Sequence, residues 1–341
     1  MDMDFANRRC SVSVTNAIGA ALSYAYKVFF QPFSFVKWLK FGVVLLLVNL
    51  GQGGSFNFNM PFDSSKSEPP AQLMEFGRWC ESHLAAVIAI VAAILLVVLA
   101  IWIIFIYFSS RFNFIFLDGV VNNDMRIKEY YQANRANGWS FFLWQLGWGL
   151  VALLTALISL VPAGLVIYYI VKNSWTGGLI VGLIASILFF FAVIFGLIIV
   201  TVLTHDFVLP IMSLLKIRVL EAWGVLWKLI RSDTRTFIYY LLLKFCLGLA
   251  SIFIMIVPCC VVGVIFALPA LMLFGLAVLA FKVSAWLFIV IIPAGIIILA
   301  LSSWLYNSVF APVSVFFRSY SLLVLEGFGD EFKSINRTSV V

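Results

Sequence analysis

The sharpest polar pair in the chain is His205-Asp206, two ionisable residues at the end of a long apolar run. Such a pair can mark a proton relay or a substrate path, or a helix end emerging among headgroups and water. Adjacent residues on a helix diverge by ~100°, so the two cannot readily act on one atom. The carboxylates Glu129, Glu221 and Glu326 hold matching places at the expected starts of successive surface helices, with Asp118 ahead of the first. Paired carboxylates could do acid and base work or bind a cation. A negative side chain near a helix N-terminus also complements the backbone dipole without chemistry, and its recurrence favours that structural role. Lys244, about two turns into the apolar stretch that opens at Phe237, either lines a polar cavity or snorkels to the nearer interface. Snorkelling is the simpler expectation. The neighbours Cys259 and Cys260 are read as packing residues rather than a redox or metal pair.

The basic residues Lys228, Arg231 and Arg235 carry the clearest binding signal. Near an anionic leaflet each such group contributes about 1 kcal/mol, so these three are candidate lipid-headgroup contacts; their alternative role is orientation of the chain by the same charges. The sequence has no Gly-x-x-x-x-Gly-Lys phosphate loop, no His-Glu-x-x-His zinc helix and no Gly-x-Ser-x-Gly elbow. Its two histidines, His83 and His205, fall in different expected compartments, which argues against a histidine metal centre. No cofactor and no enzymatic activity are expected.

These residues sit in a chain that must use lipid as a solvent. It is 64% hydrophobic and 11% charged, with a mean hydropathy of +1.10, whereas soluble globular domains are nearer ~45–50% apolar. The runs Leu84 to Phe108, Trp139 to Val171, Gly178 to Thr204 and Phe237 to Trp304 exceed the ~20 residues that cross a bilayer. Backbone groups in lipid must be satisfied internally, which predicts helices; a barrel would show short alternating segments. The formal charge of +7 follows the positive-inside pattern rather than a nucleic-acid surface. With a cytoplasmic N-terminus, 17 of the 22 Lys and Arg fall in segments on the inner side. The first twenty residues lack a cleavable signal, so the first span is expected to be the anchor. The five cysteines form no disulfide or zinc spacing.

The organisation is read as a repeated phrase: a polar-striped aromatic helix, then a hydrophobic hairpin. The marker prolines Pro162 and Pro210 are 48 residues apart, and Pro258 and Pro312 are 54 apart. In the first unit, Ser23, Lys27, Gln31, Ser34 and Lys37 stripe a helix from Ala20 to Lys40 that Pro32 kinks or divides. The second unit opens at Arg126 to Asn137. The third opens at Glu221, with Gly224, Lys228, Arg231 and Arg235 as a narrow stripe among apolar residues, a pattern suited to the headgroup boundary. Residues 53–83 read as a polar loop, with a short helix near Gln72 to Ser82. Counting back from Pro312 by the repeat makes 259–281 a re-entrant or interfacial segment, so six spans are expected, against a rival of seven or eight. The expected fold is an all-α integral membrane domain over 20–335: hairpin units at about 20–110, 111–210 and 211–317, a closing interfacial helix at 318–335, and tails at 1–19 and 336–341.

The phrases Phe207-Val208-Leu209-Pro210-Ile211-Met212 leading to Leu220-Glu221-Ala222-Trp223, and Phe310-Ala311-Pro312 followed by Phe317-Arg318-Ser319-Tyr320-Ser321, resemble an uncharacterised group of prokaryotic multi-span proteins, a domain of unknown function. Their layout is similar to the membrane domain of some glycerophosphodiester phosphodiesterases. The resemblance implies a six-span helical fold with in-plane helices in the cytoplasmic membrane. It carries no catalytic residues, and the phosphodiesterase barrel is absent from this chain.

Three functions compete on these grounds. The favoured one is a non-enzymatic protein that binds inner-leaflet lipid or organises the membrane, with both termini cytoplasmic. The second is a transporter or channel for a small or lipidic substrate, which repeats would suit; the spans, however, offer few polar groups beyond Lys244, Ser186, Ser251 and Thr155. A lipid-acting enzyme would have to draw on Asp118, His205 and Asp206.

Overall fold

The computed structural model describes residues 10–11, 13–51, 82–173, 177–283 and 285–334. Most of the expected polar loop, including Cys80 and the body of its short helix, lies outside them. The described residues are helical, with no strand. Helix α1 (Val14–Phe30) packs a small-residue face, Ala17, Ala21 and Ala25 with Tyr24, Val28 and Phe29, into the core. The chain breaks at Gln31-Pro32, and α2 (Phe35–Leu50) begins with Ser34 accepting the backbone N–H of Lys37 as its cap. There follow α3 (Leu84–Val121), the short α4 (Ile127–Ala133), α5 (Arg135–Asn173) and α6 (Gly177–Leu203). A π-helical turn over Thr204–Val208 leads into α7 (Leu209–Leu215). Then come α8 (Val219–Ser232), α9 (Thr234–Val283) and α10 (Phe288–Glu326).

Among the described residues, five helical stretches are long and apolar enough to cross a membrane: Leu84–Val121, Arg135–Tyr169, Ile180–Leu215, Thr234–Ala280 and Phe288–Glu326. The 16 residues of α2, a rise of ~24 Å, fall short of the ~30 Å hydrocarbon core. Residues 259–281 form no re-entrant segment. They continue α9, which runs for 50 residues with Pro258 and Pro269 inside it. At ~75 Å this helix outreaches even the ~45 Å membrane with its headgroups. Proline is tolerated within such helices because neighbours and local adjustment satisfy the freed carbonyls. Residues 318–326, expected to open a separate surface helix, are instead the buried last turns of α10. Glu326 accordingly ends a helix rather than starting one, and its Oε1 accepts the backbone N–H of Ser334 at 3.1 Å.

The helices pack in the order α9, α10, α2, α3, α5, α6. Close approach around α2 depends on small residues. A Cβ on Gly42 would lie 1.8 Å from Ser308 Oγ of α10, and one on Gly51 would lie 2.2 Å from Ser109 Cβ of α3. Asn49 donates to Asn307 Oδ1 at 2.6 Å and Ser109 to the Val48 carbonyl at 2.6 Å, locking the same three helices. The core gathers at one end, from α1, α2, the last turns of α3, the π turn, α7, α8 and the second half of α10. The rest of α3, α5, α6, α9 and the first half of α10 presents its Leu, Ile, Val and Phe outward. Apolar exposure on that scale suits lipid contact.

Candidate functional site

At the packed end the row closes on itself, because the π turn after α6 meets α10. Pro210 accounts for the local geometry. In this turn the N–H of Leu209 bonds back five residues to the carbonyl of Thr204. The carbonyl of His205 therefore loses its α-helical donor, and its donor at five residues would be Pro210, which has none. Arg318 fills the vacancy, its Nη1 donating to the His205 carbonyl at 2.5 Å. A helix from the far end of the chain thus satisfies a backbone acceptor that proline has stranded.

Asp206 faces α9. Its Oδ2 accepts the Tyr240 hydroxyl at 2.8 Å and pairs with the Lys244 ammonium. Tyr240 and Lys244 stand one turn apart on one face of α9, which is why both reach one carboxylate. The pair is sheltered, with side-chain exposures of 10% for Asp206 and 22% for Lys244. Phe207 and Tyr320 wall it in, their ring centroids 4.8 and 5.1 Å from that of Tyr240. Arg318, buried and 5.6 Å over the Phe116 ring, lies within electrostatic reach of Asp206. Lys244 is the cation bonded to this carboxylate, and Arg318 adds only its field. His205 points elsewhere and packs edge-on to Phe141 at 5.5 Å. His205 Nδ1, Arg318 Nε and the Tyr320 hydroxyl are sealed with no hydrogen-bond partner.

Of the expected polar set, the structure joins Asp206 to Lys244 and leaves Asp118 apart. The carboxylate of Asp118 accepts Asn134 Nδ2 at 2.5 Å, near the end of α3. Lys244 bonds to a carboxylate instead of only snorkelling outward. The basic triplet is divided between two helices: Lys228 and Arg231 lie exposed on α8, while Arg235 lies exposed in the first turn of α9. Asp233 separates them, its Oδ2 accepting the Thr236 hydroxyl at 2.8 Å. Arg231 sits 5.2 Å over the ring of Trp227. The opposite face of α8, Val219, Ala222, Leu226 and Leu229, is buried in protein. Glu221 works as a cap, its Oε2 accepting the backbone N–H of Arg218 at 3.3 Å. Cys246, Cys259 and Cys260 are free thiols. Among the described residues no three His, Cys, Asp or Glu gather into a metal-ligand set.

Arg318, Tyr240 and Tyr320 were missed as partners in the cluster. One signal could have found Arg318, since it is the single charged residue of α10 before Glu326. Asp206 likewise stands alone in the apolar stretch from Gly177 to Leu215. Opposite charges isolated in separate apolar helices are expected to find each other.

No curated protein and no solved structure matches the chain, so a link to the membrane domain of glycerophosphodiester phosphodiesterases is not shown. A family model does match, over residues 12–335, and the chain belongs to that family, described as a family of unknown function (DUF7544).

Proposed function

We propose that the chain is a non-enzymatic multi-pass protein of a prokaryotic cytoplasmic membrane, with its packed end at the inner leaflet, where it binds anionic lipid. In this reading α2 is the sixth span, shortened by its start near the headgroups. The helices pair as three tandem hairpins, α2 with α3, α5 with α6 and α9 with α10, preceded by in-plane α1, α4 and α8. Both termini face the cytoplasm, consistent with the distribution of Lys and Arg. The observation that carries the reading is the outward face of α8, where exposed Trp227, Lys228 and Arg231 stand opposite four buried residues. Tryptophan beside basic groups is the composition of a headgroup-level anchor.

The test is lipid retention by the purified full chain, read by native mass spectrometry after exposure to phosphatidylglycerol. At about 1 kcal/mol for each basic group, the triple variant Lys228→Glu, Arg231→Glu, Arg235→Glu should bind at least ~100-fold more weakly. Unchanged retention would sink the proposal. A transporter or channel is the second reading, favoured by the sheltered Asp206–Lys244 pair between α9 and the end of α6. Substrate-dependent flux in proteoliposomes, lost on Asp206→Asn, would favour it.

A further inference from the structure

Arg111, on α3, is only 8% exposed, and among the described residues no carboxylate or hydrogen bond answers its charge. The acids next along the chain are bonded elsewhere. Asp118 is bonded to Asn134, while Asp124 and Glu129 pair with Arg126 at 2.9 and 3.4 Å. What holds Arg111 is aromatic. Its guanidinium carbon lies 4.8 Å from the Tyr107 ring centroid and 4.7 Å from that of Tyr131. Gly138 of α5 makes room for the stem, since a Cβ there would come within 2.8 Å of Arg111 Cγ. Its Nε is sealed and unbonded, which leaves the terminal nitrogens as the face open to a ligand. Arg318 is equally buried and likewise unbonded at Nε, but it differs in having the His205 carbonyl and Asp206 in reach.

A buried cation with no counter-charge costs several kcal/mol, a cost that an anion from outside would offset. The Tyr107 ring also meets Trp139, at 6.3 Å between centroids, and Trp139 is 52% exposed. An aromatic collar of this kind marks headgroup level. Guanidinium is the cation that matches phosphate with paired, parallel hydrogen bonds while stacking on rings. We propose that the Arg111 guanidinium, clamped between Tyr107 and Tyr131, is a binding site for a phosphate group, as carried by a phospholipid headgroup or by free phosphate. The proposal rests on the reading of the chain as a headgroup-binding membrane protein but uses residues separate from α8.

The experiment titrates short-chain phosphatidylglycerol, and separately inorganic phosphate, onto the full chain in detergent. Four proteins are compared: wild type, Arg111→Gln, Tyr131→Leu and the triple α8 variant. Losing charge-assisted hydrogen bonds predicts a roughly 10- to 100-fold weaker tight site in Arg111→Gln. Tyr131→Leu, which keeps the cation but removes one wall of the clamp, should fall between it and wild type. Competition by inorganic phosphate at this site identifies free phosphate as a source, and its failure to compete identifies the lipid; either is consistent with the site. Wild-type affinity in both Arg111→Gln and Tyr131→Leu overturns it. Should Arg111→Gln not fold, Tyr131→Leu decides alone, unchanged affinity overturning the site. Loss confined to the α8 variant overturns this site and leaves the α8 reading standing; loss confined to the Arg111 and Tyr131 variants does the reverse.

Discussion

Replacing Asp206 by asparagine should be the most damaging isosteric change at the packed end. The new amide could still accept the Tyr240 hydroxyl, but Lys244 and Arg318 would be left without a negative charge in a sheltered place. Breaking a buried pair by removing one partner costs about 3–5 kcal/mol. Lys244→Met should cost less, about 1–3 kcal/mol, because Asp206 keeps the Tyr240 bond and the field of Arg318. Lys244, more exposed than Asp206, also begins with less to lose. The double variant should fall short of the sum of the singles, since once Asp206 is neutral the lysine is a liability. At roughly 2 °C per kcal/mol for a chain of this size, Asp206→Asn lowers the midpoint of thermal unfolding by ~6 °C or more. The assay is loss of the monodisperse peak after heating in detergent. A drop within ~2 °C, or Lys244→Met proving the worse of the two, would refute the reading of Asp206 as the counter-charge of this cluster.

Two further changes probe the packing around this cluster. Burial pushes the Tyr24 phenol of α1 up to about 12, and its hydroxyl donates to the Val120 carbonyl. The unfolded chain releases that proton near ~10, so stability present below pH ~10 falls by up to about 2–3 kcal/mol as pH rises toward 12. Tyr24→Phe, itself costing about 1 kcal/mol, should show a flatter decline over that interval in an alkaline unfolding series. Gly42→Val, which drives a side chain into Ser308, should cost about 1–3 kcal/mol or more and lower the thermal midpoint, whereas Gly248→Val, whose Cβ meets nothing within 4 Å, should not.

The all-helical, membrane-crossing character was legible because uninterrupted apolar runs leave the backbone no other way to satisfy itself in lipid. The division of the first segment at Pro32 was legible for a similarly local reason, a missing N–H and a fixed φ. What local pattern could not reveal was the direction of each face. On α8 the narrow polar stripe suited the headgroup boundary, but it did not show that Ala222, Leu226 and Leu229 turn into protein while Leu220 and Trp227 do not. Periodicity finds a face without saying what covers it. The re-entrant or interfacial reading of 259–281 rested on counting back from Pro312 by the repeat, and the helix does not turn where that count places a turn. In lipid an interrupted helix is worse than a helix with proline, and α9 stays continuous. Lys244 was judged by its distance from a helix end, although the decisive fact was Asp206, 38 residues earlier in the chain.

These placements fit the energetics of helix assembly in lipid. Acyl chains are as apolar as leucine, so the outward Leu, Ile and Val of α5, α6 and α9 lend little preference for one neighbour over another. Register must come from contacts that lipid cannot imitate. Around α2 it comes from small residues and amide pairs, Gly42 on Ser308 and Asn49 on Asn307. Where the π turn meets α9 and α10 it comes from charge: one carboxylate bonded to a hydroxyl and an ammonium, and one stranded carbonyl bonded to a guanidinium. Each of these bonds has a direction and a single partner, whereas an apolar contact between the same helices could slide by a turn at little cost. The cluster therefore does what the long apolar faces cannot, holding the first and last members of the row in one relation at the end where the core lies.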